Sequence, residues 1–338
     1  MSRVLLTGAT GYIGSHVAVE LVNAGYEVIG VDNFSNSTPK VLDGIEKIIG
    51  KRIDFMEVDC TDCNAFAKVF EQFPDIEAAI HFAAYKAVGE SVAEPLKYFK
   101  NNLRSFENLV ELMVNKAKGA NIVFSSSATV YGQPALEDLP IKEELPYQPA
   151  SSPYARTKQI AEGILEDCVK AYSNLNGIVL RYFNPIGAHP SAHIGELPNG
   201  VPNNLVPFIT QTAAGIRECL SVFGNDYNTP DGSCIRDYIY VVDLAKAHVK
   251  AVDKMLQEGI RWNVFNLGTG KGLSVLELVN AFIKATGVNL NYKIAGRRPG
   301  DVEQYWADPA KANRELGWSA ETPIEEVLLS AWKWQQTL

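Results

Sequence analysis

RVLLTGATGYIGSH, residues 3–16, reads as a short apolar strand, a tight glycine turn and the first turns of a helix. The strand is expected over Arg3–Thr7, and the helix over 12–24, where Gly25 stops it. Gly8, Gly11 and Gly14 are spaced G-x-x-G-x-x-G, one residue off the commoner G-x-G-x-x-G, so the spacing alone is a weak signal. Its position between strand and helix carries more weight. Such a turn brings backbone close to a pyrophosphate, and the helix N-terminus, with Tyr12 and Ile13 behind the turn, supplies N–H groups and a positive dipole. A second strand is expected over 27–31, and Asp32 closes it, eighteen residues after Gly14. A carboxylate there accepts hydrogen bonds from both hydroxyls of an adenosine ribose and repels a 2′-phosphate, which favours NAD over NADP.

Outward from this unit, apolar runs at 53–58, 78–82, 121–125 and 177–182 alternate with amphipathic stretches at 64–73, 95–118 and 152–172. Strands separated by helices of that length mean βαβ units, a mostly parallel sheet and helices on both faces. The fold class expected is α/β: a doubly wound parallel sheet of Rossmann type, with a smaller mixed α/β substrate domain. The segment 133–153 has no steady period and reads as a loop. After Phe183 the texture changes: Pro185, Gly187, Pro190, Gly195, Pro198, Gly200, Pro202 and Pro207 punctuate a long irregular region. Short strands near 220–223 and 237–241 and helices near 243–256, 274–286 and from 323 follow, the last with Trp332 and Trp334 on its packing surface. A boundary at 183/184 is expected between a cofactor domain, 1–183, and a substrate domain, 184–338, with segments exchanged between the two allowed for.

The chain has 338 residues, 46% hydrophobic and 21% charged, the usage of an ordinary globular protein large enough for two domains. Its formal charge of -8 and the lack of a dense basic tract argue against nucleic acid as a partner. Five cysteines in this length make no disulfide framework, and the pair Cys60 and Cys63 has no second pair to complete a zinc site. His189 and His193 flank Pro190 without a third ligand, so no metal is expected. There is no run of eighteen apolar residues, and the N-terminus shows no secretory pattern; no membrane association and a cytoplasmic location are expected.

Three groups of residues fall where a doubly wound sheet binds its ligand, beyond the carboxyl ends of the strands. Asp59 and Cys60 follow the third strand and are placed to border an adenine. Phe82, Ala83 and Ala84 follow the fourth, with Lys86 shortly after them to meet a phosphate or ribose. Ser125, Ser126 and Ser127 close the fifth, and Ser127 is the one expected in the chemistry. Tyr154 and Lys158 are four apart and share a helix face. An ammonium beside a phenol favours the phenolate, so Lys158 is expected to lower the Tyr154 pKa from about 10 toward neutrality and make it a general base for an alcohol.

The residues that carry a family resemblance run the length of the chain: TGATGYIGSH at 7–16, VDNFSNS at 31–37, HFAAYKAVGESV at 81–92, FSSSATVYG at 124–132, SPYARTK at 152–158 and RYFNPIGAHPS at 181–191. Past the expected boundary it continues with PNNLVPFI at 202–209, DGSCIRDYIYVVDLA at 231–245 and RRPGDVEQYWAD at 297–308. The chain resembles the extended short-chain dehydrogenase/reductases, and within them the UDP-glucose 4-epimerases. The resemblance implies tightly held NAD and redox-neutral inversion at C4 of a UDP-linked hexose. Tyr154 would take the O4 proton, Lys158 would bind the nicotinamide ribose and Ser127 would hydrogen-bond near O4. It also places Asn33, Asn36, Ser37, Asn101, Ser125, Tyr182 and Phe183 at the cofactor. At the sugar nucleotide it places Asn184, Asn204, Leu205, Val222, Phe223, Arg236, Tyr238, Arg298 and Asp301, with Lys86, Ser127 and Tyr154 shared. Tyr305 occupies the family position near C2 of the sugar, where its bulk is expected to crowd an N-acetyl group. The family usually pairs as a homodimer through the helices near 95–118 and 153–172.

A nucleotide-sugar 4,6-dehydratase shares the cofactor site but needs further acid–base groups, typically an Asp–Glu pair after the active-site Thr or Ser. Here Ser127 is followed by Ala128 and Thr129, which argues against elimination. A 4-epimerase for pentose, uronic-acid or N-acetylhexosamine substrates uses identical chemistry and stays open. A non-enzymatic sugar-nucleotide sensor would have no need to keep Ser127, Tyr154 and Lys158 together.

Overall fold

The computed structural model describes residues 2–298 and 301–338; Pro299 and Gly300, inside the RRPGDVEQYWAD segment, lie outside the described residues. The first part of the chain runs β1 (Arg3–Thr7), α1 (Tyr12–Asn23), β2 (Glu27–Asp32), α2 (Lys40–Ile49), β3 (Asp54–Glu57), α3 (Cys63–Gln72) and β4 (Ile76–His81). It continues with α4 (Val88–Ala93), α5 (Pro95–Lys116), β5 (Ala120–Ser127), α6 (Pro153–Ala171) and β6 (Leu175–Tyr182). Next come β7 (Asn184–Ile186), α7 (Leu205–Ala213), β8 (Leu220–Phe223), β9 (Ile235–Arg236), β10 (Tyr238–Tyr240), α8 (Val241–Glu258) and β11 (Trp262–Leu267). The rest is β12 (Leu273–Ser274), α9 (Val275–Thr286), β13 (Tyr292–Ala295), β14 (Gln304–Tyr305) and α10 (Ile324–Gln335).

Seven strands form one parallel sheet in the order β11-β6-β5-β4-β1-β2-β3. This is the doubly wound arrangement, and its order reverses direction between β1 and β4. The strands are short, and the central ones are buried on both faces, because helices cover each side. On one face α1, α2 and α8 pack through Val17, Leu21, Leu42, Ile45, Leu244 and Val252. On the other α3, α5 and α6 pack through Phe66, Phe106, Leu109, Ala161 and Leu165.

The expected boundary falls between β6 and β7, yet the sheet also takes β11 from well beyond it, paired in parallel with β6 from Trp262↔Gly177 to Leu267↔Tyr182. Helix α8 returns with it and lies against α1. The smaller lobe is built from the remaining segments. Small sheets β7–β10, β12–β9–β14 and β8–β13 surround a core formed with α7, α9 and α10. Trp332 meets Phe282 edge-on in that core, and Trp334 donates its indole N–H to the Glu196 carbonyl.

Three helices lie where the sequence reading placed none: α2, α4 and α7. Helix α7 falls in the stretch that its prolines marked as irregular. Pro207 sits in its first turn, where the missing N–H has no intrahelical partner to lose, so the proline is compatible with the helix. The loop 133–153 is irregular apart from a single 3-10 turn, but Ile141 is fully buried and bridges Ala307 of the smaller lobe.

Because α8 and β11 supply Leu244, Val252, Met255, Phe265 and Leu267 to the first-lobe core, a fragment ending at residue 183 loses one wall of it. Such a fragment is expected to show no cooperative thermal transition by circular dichroism, whereas the full chain shows one. A cooperative melt of the fragment would mean the first lobe is self-sufficient.

Candidate active site

A cavity of about 690 Å³ runs along the carboxyl edge of the sheet and into the seam with the smaller lobe. The glycine turn forms one end. A Cβ on Gly8 would lie 2.9 Å from the Ala83 amide nitrogen, and one on Gly14 would run into the Gly8 carbonyl, so both glycines are demanded by the protein's own packing. Gly8 also has φ of 73°. Gly11 is different: a Cβ there meets only the Gly8 oxygen, at 3.2 Å, and the residue faces the cavity. Helix α1 has no side-chain cap, and its first N–H groups have no intrahelical partner. An uncapped N-terminus behind a bare backbone suits a diphosphate.

Asp32 is held by the Thr10 and Phe34 amides at 3.1 and 3.0 Å and lines the cavity with Asn33, Asn36 and Ser37. Asp59 accepts from the Thr61 hydroxyl and amide and from Asn33; these bonds outweigh burial and hold its carboxyl below the usual range. Val58, Cys60, Phe82, Ala83 and Ala84 continue the wall. Thr7 Oγ1 accepts from the Phe82 and Ala83 amides and bonds His81 Nδ1 at 2.8 Å, which fixes the end of β4. These groups form a site with the donor set and shape for an adenine dinucleotide.

At the middle of the cavity stand Ser127, Tyr154 and Lys158, with Asn101, Tyr182 and Phe183 beside them. Ser152 caps α6 through the Ala155 amide, and Pro153 occupies the first helical position, so the helix begins just before Tyr154 and aims it inward. Lys158 Nζ donates to the Ser125 carbonyl at 2.7 Å and lies 4.8 Å over the Phe124 ring. The Ser125 hydroxyl pairs with that of Tyr182 at 2.7 Å. Ser125 thus acts from behind the wall and does not line it.

The expected drop in the Tyr154 pKa is absent. Burial pushes the phenol up to about 12, with the Ser127 hydroxyl pulling the other way. Burial likewise takes Lys158 down to about 8, partly offset by Glu162. The ammonium is pinned to the Ser125 carbonyl, 6.0 Å from the Tyr154 ring centre, and both charged forms have lost their water.

The smaller lobe closes the far end. Asn184, Asn204, Leu205, Phe223, Arg236, Tyr238, Arg298 and Asp301 all face the cavity. Asp301 accepts from Arg298 at 2.8 Å and lies 3.6 Å from Arg236, so one carboxylate ties together two guanidinium groups that line the cavity. Lys86 and Asn204 meet on one carboxylate oxygen of Glu196, at 3.4 and 2.6 Å, a tie between the lobes that the sequence reading missed. Asp237, beside Arg236, is buried and accepts from the Thr269 amide and hydroxyl and the Ala307 amide.

Two expected substrate residues are not on the cavity wall. Val222 is buried in the smaller-lobe core: β8 alternates, and Ser221 and Phe223 are the residues that face out. Tyr305 stands one layer back, packed 5.1 Å from Phe183 and donating its hydroxyl to the Ala128 carbonyl. Asn102, next to Asn101 in the chain, is structural: it bonds both backbone groups of Tyr85 and reaches Thr157.

A family model described as GDP-mannose 4,6 dehydratase matches residues 5–330. The UDP-glucose 4-epimerase of Bacillus subtilis is 53% identical over 334 residues, 99% of this chain and 97% of that protein. The chain belongs to the UDP-glucose 4-epimerase family. Among solved structures it is similar to the Stenotrophomonas maltophila UDP-glucose-4-epimerase with bound NAD and formylated UDP-arabinopyranose, at a TM-score of 0.96, 44% identity and coverage of 100% and 98% of the two chains. The Bifidobacterium longum UDP-glucose 4-epimerase in complex with NAD+ and UDP superposes at 0.93, with 45% identity over 99% and 98%. Among UDP-glucose 4-epimerases the dehydratase description of the broader model is no conflict: after Ser127, Ala128 is buried and the Thr129 hydroxyl is spent on Ser127 Oγ, leaving no acid–base pair for elimination.

The two glycines separate packing from ligand contact. Gly14→Ala is expected to lower thermal stability by about 1–3 kcal/mol and to lose bound NAD, whereas Gly11→Ala keeps its melting temperature while NAD affinity falls. Equal loss of stability in both would remove the argument that Gly11 serves the ligand.

Proposed function

We propose that this chain interconverts UDP-glucose and UDP-galactose, with NAD held as a catalytic cofactor and C4 oxidised and then reduced from the opposite face. The single observation that carries the reading is one continuous cavity. It joins the glycine turn and Asp32, the Ser127–Tyr154–Lys158 group and the paired arginines Arg236 and Arg298. Gly8, Gly11, Tyr12, Ile13, Gly14, Asp32, Asp59 and Lys86 would hold the cofactor. Bound NAD supplies the hydride acceptor and, when oxidised, a positive charge that favours anionic groups.

The chain's own residues handle the proton and the anchoring. Tyr154 accepts the O4 proton as C4 is oxidised and returns it on reduction. A phenol raised by burial is a weak acid whose phenolate is a correspondingly strong base for the weakly acidic O4 hydroxyl; Ser127 stabilises the phenolate form. Lys158, fixed by the Ser125 carbonyl, supplies a directed ammonium that cannot drift toward solvent. Arg236 and Arg298 suit the diphosphate because a guanidinium makes several directed, charged hydrogen bonds.

The same reading includes a homodimer, supported by the family resemblance and by α5 and α6 lying side by side on the first lobe. A cytoplasmic location is supported by five free cysteines, the usage of a reducing compartment. No described helix is long and apolar enough to cross a membrane.

Selectivity against N-acetylated sugars is part of the proposal. Tyr305 acts from behind, by filling the space under Ala128 and Phe183 and so keeping the sugar end shallow. UDP-N-acetylglucosamine is expected to turn over with kcat/KM at least about tenfold below that of UDP-glucose, and Tyr305→Cys to narrow the gap; comparable values in the wild type would remove the steric argument.

The purified protein, given UDP-galactose and no added NAD, is expected to form UDP-glucose without net build-up of reduced nicotinamide. Tyr154→Phe should keep the cofactor and lose about 10²–10⁴-fold in kcat. Full activity in that variant contradicts the assigned base, and stoichiometric accumulation of reduced cofactor would indicate a dehydrogenase instead.

A further inference from the structure

Behind the reacting residues lies a buried charged network that none of the chemistry above uses. Tyr154, Lys158 and Glu162 succeed one another at spacings of four on the buried face of α6. Glu162 is only 2% exposed and forms an ion pair of 2.7 Å with Arg181 of β6. The Arg181 guanidinium also donates to Tyr131 and Tyr147, at 2.8 and 3.0 Å, and the Tyr147 hydroxyl donates to Glu162 at 2.5 Å. The β5–β6 register sets Ser126 directly beside Arg181, and the Ser126 hydroxyl donates to Glu162. The three serines at the end of β5 therefore do three different things. The Ser125 carbonyl holds Lys158, Ser127 faces the cavity, and Ser126, between them, points the other way and is tied to Glu162.

We propose that Glu162 is a positioning residue for the proton-transfer pair: through Ser126 it fixes the strand end that carries Ser125 and Ser127, and it sets a carboxylate one helical turn behind Lys158. This rests on the epimerase reading of the cavity. A buried ion pair adds little net stability compared with apolar packing, but removing one partner costs several kcal/mol, so its geometry is held tightly. The strand end is anchored at a point whose two neighbours touch the reacting side chains. The other groups that face the pair are His81 of β4, Tyr98 of α5, and Arg181 and Tyr182 of β6. Burial pushes His81 down to about 3, which leaves it neutral, so Glu162 is the carboxylate that opposes the desolvation of Lys158. Neutralising Glu162 removes that opposition and also frees the Arg181 charge, and both changes lower the Lys158 pKa.

The test uses the NAD-bound protein labelled with ¹³C at lysine ε-carbons, with Lys158 assigned by the signal lost in Lys158→Met. In Glu162→Gln the Lys158 titration midpoint and the alkaline limb of kcat are expected to move together to lower pH by about one unit, with KM within about twofold of the wild type. Ser126→Ala leaves the ion pair in place; its lysine midpoint should stay put while kcat falls about tenfold and KM is unchanged. An unmoved lysine midpoint in Glu162→Gln overturns the proposal, and so does a wild-type kcat in Ser126→Ala. If Glu162→Gln fails to fold, Ser126→Ala decides alone. The lysine titration needs no turnover, so a wild-type protein unable to convert UDP-galactose would sink the epimerase reading without touching this measurement.

Discussion

The reversal of strand order between β1 and β4 is the constraint on which the site depends. Crossovers leave the two halves of the sheet in opposite directions, so no connection covers the carboxyl ends of β1 and β4, and a crevice opens there. Everything that binds is delivered to that edge by the same geometry. The β1–α1 turn contributes bare backbone, the end of β2 contributes Asp32, and the ends of β3 and β4 contribute Asp59 and the Phe82–Ala84 wall. The end of β5 contributes the serines, and α6, starting immediately over that edge, contributes Tyr154 and Lys158. The smaller lobe then needs only to bring cations over the open side, which it does with Arg236 on β9 and Arg298 beside Asp301.

Burial is what gives these groups their character. A Tyr–Lys pair at helix spacing on a wet surface would titrate close to the ordinary values of its parts. Here both are enclosed, and the loss of water pushes the phenol up and the ammonium down, so that two ordinarily similar equilibria are driven apart. In the proposed reaction a raised phenol pKa lies closer to that of a sugar hydroxyl, itself a weak acid, which suits a proton that must pass in both directions at one site. The separation of the two protonation equilibria depends on the surrounding carbonyl, hydroxyls and carboxylate, which the polar network behind β5 holds in place.

Much of this was legible in the sequence because it is written locally. The glycine turn, Asp32 and the Tyr154–Lys158 spacing each declare themselves within a few residues, and the alternation of strands and helices follows from the period of apolar residues. The unread parts come from long-range pairing. Nothing near Trp262–Leu267 indicates that it pairs with β6 across some eighty residues of intervening chain rather than with its neighbours. Val222 and Phe223 are adjacent and apolar, and only the register of β8 with β13 decides which of them faces the cavity. Helix α7 was hidden because Pro207 and the asparagines before it mimic a turn. Nothing in the sequence around Glu196 marks it; its meeting with Lys86 and Asn204 requires two lobes to be brought together. The pKa of Tyr154 was misjudged for a related reason: the helix spacing shows that Lys158 shares a face with it, not that the ammonium is drawn off to a backbone carbonyl.

The smaller-lobe end of the cavity and its middle differ in a way that matches an inversion. The nucleotide end is rigid: Arg236 is set by the β9–β14 pairing and by Asp237, whose carboxylate is held by three donors from two separate loops. Gly268 belongs to that anchor, since a Cβ there would run into the Asp237 carboxylate. Around Tyr154, at the middle of the cavity, Tyr182 and Phe183 form an aromatic wall beside the polar groups Ser127, Asn101, Lys158 and Asn184. A ring held at its diphosphate by directed charges, and flanked elsewhere in part by an aromatic wall, can turn over with fewer hydrogen bonds to break than one gripped at every hydroxyl. A dehydrogenase working on the same sugar gains by gripping every hydroxyl, because it needs one orientation only. Presenting either face of C4 demands the opposite distribution, with specificity concentrated in the nucleotide and freedom left to the sugar. The placement of the cations at the smaller-lobe end of this cavity and the aromatic wall at its middle is that distribution.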